Sequence, residues 1–254
     1  MASKIDDIPF LQPVIKQKLI SREYIGLSEF QIEGINLIDS DLSYNALFYG
    51  DHPCGKTTTW LLGLAKWMHN NQPDGKLKAI VLVKNKKKGQ IMAEALAYFL
   101  EGSDHKIIMN KKTLSLNEMK HHLSVASVWV VCTCDLDIFK QTFEDIYKDT
   151  EDGMPPDVEK CKKLDFLSTI NWFIVEDFDS EDSGCQSFVD IIEPFNSIMI
   201  YNNAKYMSLL VCRNITQEVT DINLELLKDK YKSINFRGQH PKASNMSHSK
   251  IDCE

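Results

Sequence analysis

Residues 47–60 read LFYGDHPCGKTTTW and contain the most specific motif of the chain. An apolar run ends at Gly50, and Gly55, Lys56 and Thr57 complete the pattern Gly-x-x-x-x-Gly-Lys-Thr. Apolar residues at helical spacing follow, so the stretch predicts a strand, a loop and a helix in succession. This is the context that a phosphate-binding P-loop requires. The alternative interpretation is a loop bounded by glycines in which the Lys-Thr pair is incidental.

The residue types of this loop suit a phosphate group. Backbone N–H groups at a helix N-terminus bind phosphate oxygens, a lysine adds positive charge, and a threonine hydroxyl ligates Mg²⁺. The predicted contacts of a nucleotide's phosphates are Gly50, Gly55, Lys56, Thr57 and Thr58. Thr57 is also a predicted ligand of Mg²⁺. Because Pro53 has no N–H to donate and Asp51 brings a negative charge, we expect the nucleotide affinity to be low.

Length and composition limit the classes of protein that fit. The chain has 254 residues, of which 43% are hydrophobic and 26% charged, which is typical of one large globular domain. The formal net charge of -7 argues against a generally basic nucleic-acid surface, so any RNA contact must be local. No apolar stretch approaches the length of a membrane span, and no membrane partner is expected.

The cysteines and histidines do not form a recognisable metal pattern. The seven cysteines are odd in number and scattered, without a Cys-x-x-Cys pair. The pair His121-His122 and the sequence Cys132-x-Cys134 could be combined into a metal site, but helix-end histidines and buried strand cysteines explain them better. With no leading signal segment, the cysteine usage favours a reducing compartment, and we expect a cytoplasmic or nuclear location.

Along the chain, predicted strands alternate with predicted helices. The predicted strands are 44–49, 79–83, 107–109, 127–132, 172–175 and 208–212. The predicted helices are 14–24, a helix capped by Ser28, the P-loop helix to residue 70, 91–100, 116–123, 135–147, 188–199 and one near 224–227. This alternation predicts an α/β fold with a mainly parallel sheet and helices on both faces, without internal repeats. A single domain is expected over residues 13–236, after an irregular lead-in (1–12) and before a disordered tail (237–254). Residues 148–163 are expected to form an exposed loop.

A second motif follows the apolar run 172–175. It is Glu176, Asp177, Phe178 and Asp179, and a P-loop ATPase needs such an acidic strand end because Mg²⁺ takes a carboxylate near the phosphates. With the P-loop, this box resembles the N-terminal RecA-like lobe of DEAD-box RNA helicases, over roughly residues 10–236. The resemblance implies that Glu176 supports the metal and that Asp177 orients the attacking water. The two carboxylate lengths are reversed relative to the family, so slow hydrolysis is expected.

The resemblance extends to the adenine-reading Q motif of that family. The matching residues are Tyr24, Leu27, Ser28, Phe30 and Gln31, with Phe10 as a candidate for an upstream aromatic. The resemblance implies that Gln31 reads adenine, and a glutamine amide offers the donor and the acceptor that this requires. The alternative is that Gln31 is an ordinary solvated helix residue.

Two loops of the family contact the RNA backbone. They match residues 84–89 and 133–136, which implies RNA contacts for Lys84, Lys86 and Thr133. The second loop has lost the family's arginine and contains Asp135. The family's Ser-Ala-Thr motif is replaced at residues 212–214 by Cys-Arg-Asn. The alternative for the lysine cluster at 84–88 is an ordinary solvated loop.

Two hypotheses for function remain. The first is a degenerate module that binds ATP with Mg²⁺ and binds single-stranded RNA weakly and without sequence or DNA specificity. It would work with a protein partner or a second RecA lobe and would not unwind a duplex alone. Such lobes look like those joined to Tudor modules in germline proteins. The alternative is an active RNA-dependent ATPase lobe of an ATP-dependent RNA helicase. Both hypotheses require Gly50, Val83, Cys132, Glu176 and Cys212 to lie at one edge of the sheet.

Overall fold

A computed structural model describes residues 2–39, 45–51, 53–109, 115–132, 169–177, 206–215 and 231–236. The helices are α1 (Pro13–Ser21), α2 (Glu29–Asp39), α3 (Lys56–Asn70), α4 (Lys86–Phe99) and α5 (Leu116–Leu123), with a 3-10 turn at Ile5–Asp7. The strands are β1 (Ala2–Lys4), β2 (Gly26–Ser28), β3 (Asn45–Tyr49), β4 (Ala79–Val83), β5 (Ile107–Met109), β6 (Val128–Cys132), β7 (Trp172–Val175), β8 (Met207–Cys212) and β9 (Tyr231–Asn235).

Seven of these strands form one sheet in the order β5-β6-β4-β7-β8-β3-β9. Every pairing within it is parallel. Val83 pairs with Cys132, and Tyr49 pairs with Cys212, so the carboxyl ends of these strands lie along one edge. Glu176 follows β7 at the same edge, where its N–H donates to the carbonyl of Leu82. The predicted α/β fold with a parallel sheet, and the predicted common edge, are confirmed.

Both faces of the central sheet are buried, as continuous apolar strands require. Every residue of β4, β6, β7 and β8 is buried. Alternate strand residues on one face, such as Phe48, Val81, Val130 and Ile174, belong to the same core as the buried residues of α1 to α4. The intervening residues, which point to the opposite face, are buried too. The sheet is therefore covered on both sides, and its carboxyl edge remains for a ligand.

Two glycines bring α2 and α3 close together. A Cβ atom at Gly34 would lie 2.5 Å from Cγ2 of Thr59, and one at Gly63 would lie 2.8 Å from two carbons of Ile38. Larger residues at these positions would push the two helices apart. The close approach places the start of α2, including Gln31, beside the P-loop at the start of α3.

The N-terminal residues differ from the sequence-based expectation. The segment 1–12 was expected to be irregular, but β1 pairs with β2 in an antiparallel ribbon, and Ile5, Ile8 and Leu11 are buried in the core. These residues are spaced three apart among acidic and proline residues, in a segment too short to establish a period. Strand β9 was not predicted because its residues are mostly exposed. The limits of the domain at 13 and 236 stay a prediction.

Several predictions lie outside the described residues. They are the helices at 135–147, 188–199 and near 224–227, the loop at 148–163 and the tail at 237–254. Among the residues that the structure describes, no helix is both long enough and apolar enough to cross a bilayer.

Candidate nucleotide site

The P-loop has the backbone conformation for which its glycines are needed. Gly50 and Gly55 have φ angles of 147° and 85°, in a region that side chains disfavour. A Cβ atom at Gly55 would also lie 2.6 Å from Nε2 of Gln31. The carbonyl of Gly55 accepts hydrogen bonds from the backbone and hydroxyl of Thr59, at 2.9 and 2.8 Å. The predicted succession of strand, loop and helix is confirmed, and α3 begins at Lys56.

Lys56 directs its ammonium group back into the loop. The side chain is buried, its Nζ donates to the carbonyl of Gly50, and it lies 3.2 Å from Sγ of Cys54. Thr58, one residue beyond Thr57, is half-buried, whereas Asp51 and Pro53 are exposed. The positive charge is therefore enclosed by the same loop that would bind a phosphate.

The carboxylate of Glu176 lies at the start of α3. Thr57 Oγ1 donates to one carboxylate oxygen at 2.5 Å, and the indole N–H of Trp60 donates to the other at 2.6 Å. Glu176 is only 3% exposed. Burial raises the pKa of Glu176 above its usual value, and this effect outweighs the two hydrogen bonds and the charge of Lys88, which act in the opposite direction.

Thr57 and Glu176 fit the chemistry of a magnesium site. Hydroxyl and carboxylate oxygens are suitable ligands for Mg²⁺, and these two groups are in direct contact although one lies in α3 and the other directly follows β7. Within the described ranges, no group of three or more histidine, cysteine, aspartate or glutamate side chains could hold a metal ion alone. One carboxylate and one hydroxyl are a normal protein contribution where phosphates supply further ligands.

Asp177 lies in a different environment from Glu176. Its φ angle is 54°, a left-handed conformation that aspartate tolerates better than most residues. One carboxylate oxygen forms an ion pair with Lys88 in the first turn of α4, and the other lies 3.8 Å from Nε of Arg213 after β8. Asn85 caps α4 by accepting a hydrogen bond from the backbone of Lys88 at 2.9 Å, which fixes the position of that residue.

Gln31 forms a capping box at the start of α2. Its Oε1 accepts from the backbone N–H of Ser28 at 2.9 Å, and the hydroxyl of Ser28 accepts from the backbone N–H of Gln31 at 3.2 Å. The residue is only 9% exposed, so the alternative of a solvated helix residue is wrong. Phe10 instead lies beside Lys66, 4.8 Å from its Nζ to the ring centroid, about 15 Å along α3 from Lys56.

The lysine cluster lies at the same edge of the sheet. Lys84 is half-buried, Lys86 and Lys87 are exposed, and the thiol of Cys132 donates to the carbonyl of Lys84 at 3.4 Å. Lysines in the first turn of a helix oppose the helix dipole, so their position is not explained by helix stability. Thr133, the third predicted RNA contact, lies outside the described residues.

Three contacting residues were not predicted. Trp60 is three residues after Thr57, so the helical period places both on one face, and this spacing could have indicated a second donor to Glu176. Arg213 directly follows β8, and parallel pairing brings it to the edge where Asp177 lies. Lys88 was recognised only as a member of the lysine cluster, not as the partner of Asp177.

Comparison with known proteins supports the fold and goes no further. No family model matches the chain, and no curated protein matches it. A DEAD box protein from Methanococcus jannaschii has a similar structure, with a TM-score of 0.66 and 14% identity over 93% of this chain and 57% of that one. Mss116p bound to single-stranded RNA and AMP-PNP gives a TM-score of 0.69 and 12% identity over 93% and 46% of the two chains.

A DNA-bound DUF1998 helicase, MrfA, gives a TM-score of 0.64 and 10% identity over 92% of this chain and 30% of that one. This chain thus spans little more than half of the DEAD box protein and less of the other two. At such low identities the likeness shows the fold alone, a parallel α/β sheet arranged as in these proteins.

Proposed function

We propose that this chain is a RecA-like ATP-binding domain that binds nucleotide weakly and contacts single-stranded RNA, with little or no hydrolysis and no unwinding alone. The observation that supports this most directly is the convergence of Lys56, Thr57 and Glu176 around a loop that needs its glycines. These residues come from two elements far apart in sequence and meet at the carboxyl edge of a parallel sheet, where such folds bind ligands.

The nucleotide would bind through its phosphates. The first turn of α3 presents N–H groups at the positive end of a helix dipole, and Lys56 supplies a full charge beside them. Thr57 and Glu176 would hold Mg²⁺, which neutralises phosphate charge when it is bound. Pro53 contributes no N–H, which supports weak affinity.

Recognition of adenine by Gln31 remains part of the proposal. Its Nε2 lies next to the P-loop glycine Gly55, which favours a role at the nucleotide. Its Oε1 already accepts from Ser28, so adenine would compete with the capping box for that oxygen.

Slow hydrolysis is proposed because Asp177 is held between two cations. Because its carboxylate oxygens already contact Lys88 and lie near Arg213, they are less available to accept a hydrogen bond from the attacking water. The second candidate function, an active ATPase lobe, is favoured by the position of Asp177 directly beside Glu176 at the phosphate edge. Turnover of ATP with RNA at about 1 per second or more would support this second candidate.

Reversing the order of the two carboxylates separates these candidates. Glu176→Asp with Asp177→Glu restores the lengths found in DEAD-box enzymes and should raise slow turnover without producing unwinding. Positioning errors of about 1 Å can cost on the order of 100-fold in rate, so a gain is expected from geometry alone. A fall in turnover from an already fast wild type would favour the active lobe.

RNA is the proposed polymer because the lysine cluster lies beside the phosphate edge, and Mss116p, of similar fold, is described as bound to single-stranded RNA. MrfA is described as bound to DNA, so a DNA strand of equal length belongs in the test. The local and small number of lysines supports weak, sequence-independent binding. A second RecA lobe or a protein partner would be required for unwinding.

Calorimetry with Mg-ATP tests the nucleotide proposal. Lys56→Ala should weaken binding at least tenfold, which is about 1.4 kcal/mol. Lys78→Ala is the matched control, because Lys78 precedes β4 at the opposite edge of the sheet and pairs with Asp74. Equal affinities of wild type and Lys56→Ala would overturn the proposal.

A further inference from the structure

Lys88 joins two parts of the carboxyl edge that the proposed function treats separately. It lies in the first turn of α4, within the lysine cluster proposed to contact RNA. Its ammonium group forms an ion pair with Asp177, the carboxylate proposed to face the attacking water. The side chains of Lys88 and Asp177 are 29% and 15% exposed, so a phosphate arriving from solvent can reach the pair.

The contacts continue from Asp177 to the P-loop. The guanidinium Nε of Arg213 lies 3.8 Å from the second carboxylate oxygen of Asp177. The carbonyl of Arg213 accepts a hydrogen bond from the N–H of Gly50 at 3.2 Å. A chain of contacts therefore runs from α4 through the end of β7 and the end of β8 to the first glycine of the P-loop.

We propose that Lys88 is shared between Asp177 and an RNA phosphate, so that RNA binding at α4 releases Asp177 toward the phosphate site. This inference rests on the proposed function and adds its regulation. If Lys88 contacted both anions at once, the carboxylate and the phosphate would lie close enough to repel each other, so contact with phosphate weakens the pair with Asp177. Arg213 would remain beside Asp177 after the exchange.

The exchange has a consequence that can be measured without ATP turnover. In the wild type, RNA must displace Asp177 from Lys88, so the ion pair opposes RNA binding. Asp177→Asn removes the competing charge and should tighten RNA binding about three- to fivefold, given the strength of partly exposed ion pairs. Because the negative charge beside Lys88 is gone, the net positive charge that faces the RNA is one unit higher in the variant, and the salt dependence should steepen by up to about 0.7 for a single strand.

The test measures binding of a fluorescent twelve-nucleotide oligouridylate by anisotropy. The variants are Asp177→Asn, Lys88→Met and the double variant. Asp74→Asn is the matched control, because it removes the same charge and releases Lys78 at the opposite edge of the sheet. Asparagine tolerates the left-handed conformation of residue 177. Thermal unfolding followed by circular dichroism checks that each variant is folded.

We expect Asp177→Asn to tighten binding, Asp74→Asn to leave it within about twofold, and Lys88→Met to abolish the effect of Asp177→Asn. RNA binding in Asp177→Asn alone, with none detected in the wild type, would also support the exchange. Equal affinities of wild type and Asp177→Asn overturn it while the proposed RNA function stands. Equal tightening by Asp74→Asn overturns it as well, since net charge then explains the gain. If no variant binds RNA, both proposals fail.

Discussion

Glu176 and Asp177 are neighbours in the chain, yet they are held in opposite ways. Glu176 is buried and accepts hydrogen bonds from two neutral donors, Thr57 and Trp60. Asp177 is partly exposed and lies between two cations, Lys88 and Arg213. The first carboxylate belongs to the interior of the domain and the second to its surface, so they should differ in their effects on stability, pH dependence and salt dependence.

The backbone explains why the two side chains separate. The N–H of Glu176 still bonds to Leu82 and continues the pairing of β7 with β4, so its side chain follows the strand alternation toward α3. At Asp177 the φ angle becomes positive and the chain leaves the strand. One step along the chain, from Glu176 to Asp177, therefore moves the carboxylate from the core to the surface.

The largest expected effect is on the Glu176 side. Trp60→Phe keeps most of the ring but removes the N–H that donates to the buried carboxylate. We expect the free energy of unfolding to fall by about 1.5–3 kcal/mol, the usual range for a hydrogen bond to a charged group. Urea denaturation measures this. Trp67→Phe makes the same chemical change on the same helix, where the ring packs edge-on against Trp172. Equal losses of unfolding free energy in Trp60→Phe and Trp67→Phe would show that the hydrogen bond from Trp60 to Glu176 does not stabilise the fold.

A smaller effect concerns pH. Because burial raises the pKa of Glu176 above its usual 4.5, its contribution to stability is full below 4.5 and is lost as pH rises through the raised pKa. Glu176→Gln does not titrate and escapes this loss. The stability of Glu176→Gln relative to the wild type should therefore increase from pH 4.5 toward neutrality. A difference that is flat over this window would contradict the assigned environment.

The smallest effect is expected on the Asp177 side. A double-mutant cycle with Lys88→Met and Asp177→Asn should give a coupling free energy of no more than about 1 kcal/mol, because the pair is partly solvated. In about 1 M salt, where screening acts within roughly 3 Å, the coupling should decrease. Thermal unfolding of the four proteins at two salt concentrations measures both quantities. A coupling free energy larger than the loss of stability measured for Trp60→Phe would reverse the comparison.

Much of the phosphate side of the site could be predicted from the sequence. Gly50, Gly55, Lys56 and Thr57 form a local motif, and the apolar run before Glu176 identifies a buried strand that ends in an acid. Parallel pairing then brings the two together without further information. The fold class could be predicted in the same way, because few folds accommodate continuous apolar strands that alternate with helices.

The partners of the two carboxylates could not be predicted as readily. Trp60 looks like an ordinary core residue, since a buried indole is favourable whether or not its N–H meets a carboxylate. The pairing of Lys88 with Asp177 depends on a positive φ angle, which the sequence pattern does not indicate. The burial of Ile5 and Ile8 depends on the pairing of β1 with β2, which is a contact between distant short segments.

The strand order also determines when the phosphate site can form during synthesis. The P-loop strand β3 lies between β8 and β9, and neither neighbour is present until the C-terminal part of the domain has been translated. At about 5–20 residues per second, the roughly 160 residues between β3 and β8 take on the order of ten to thirty seconds to synthesise. During that interval the apolar strand before Gly50 has no sheet partner on the nascent chain. Nucleotide binding is thus one of the last properties this domain acquires at the ribosome, so the ligand cannot assist the early stages of folding.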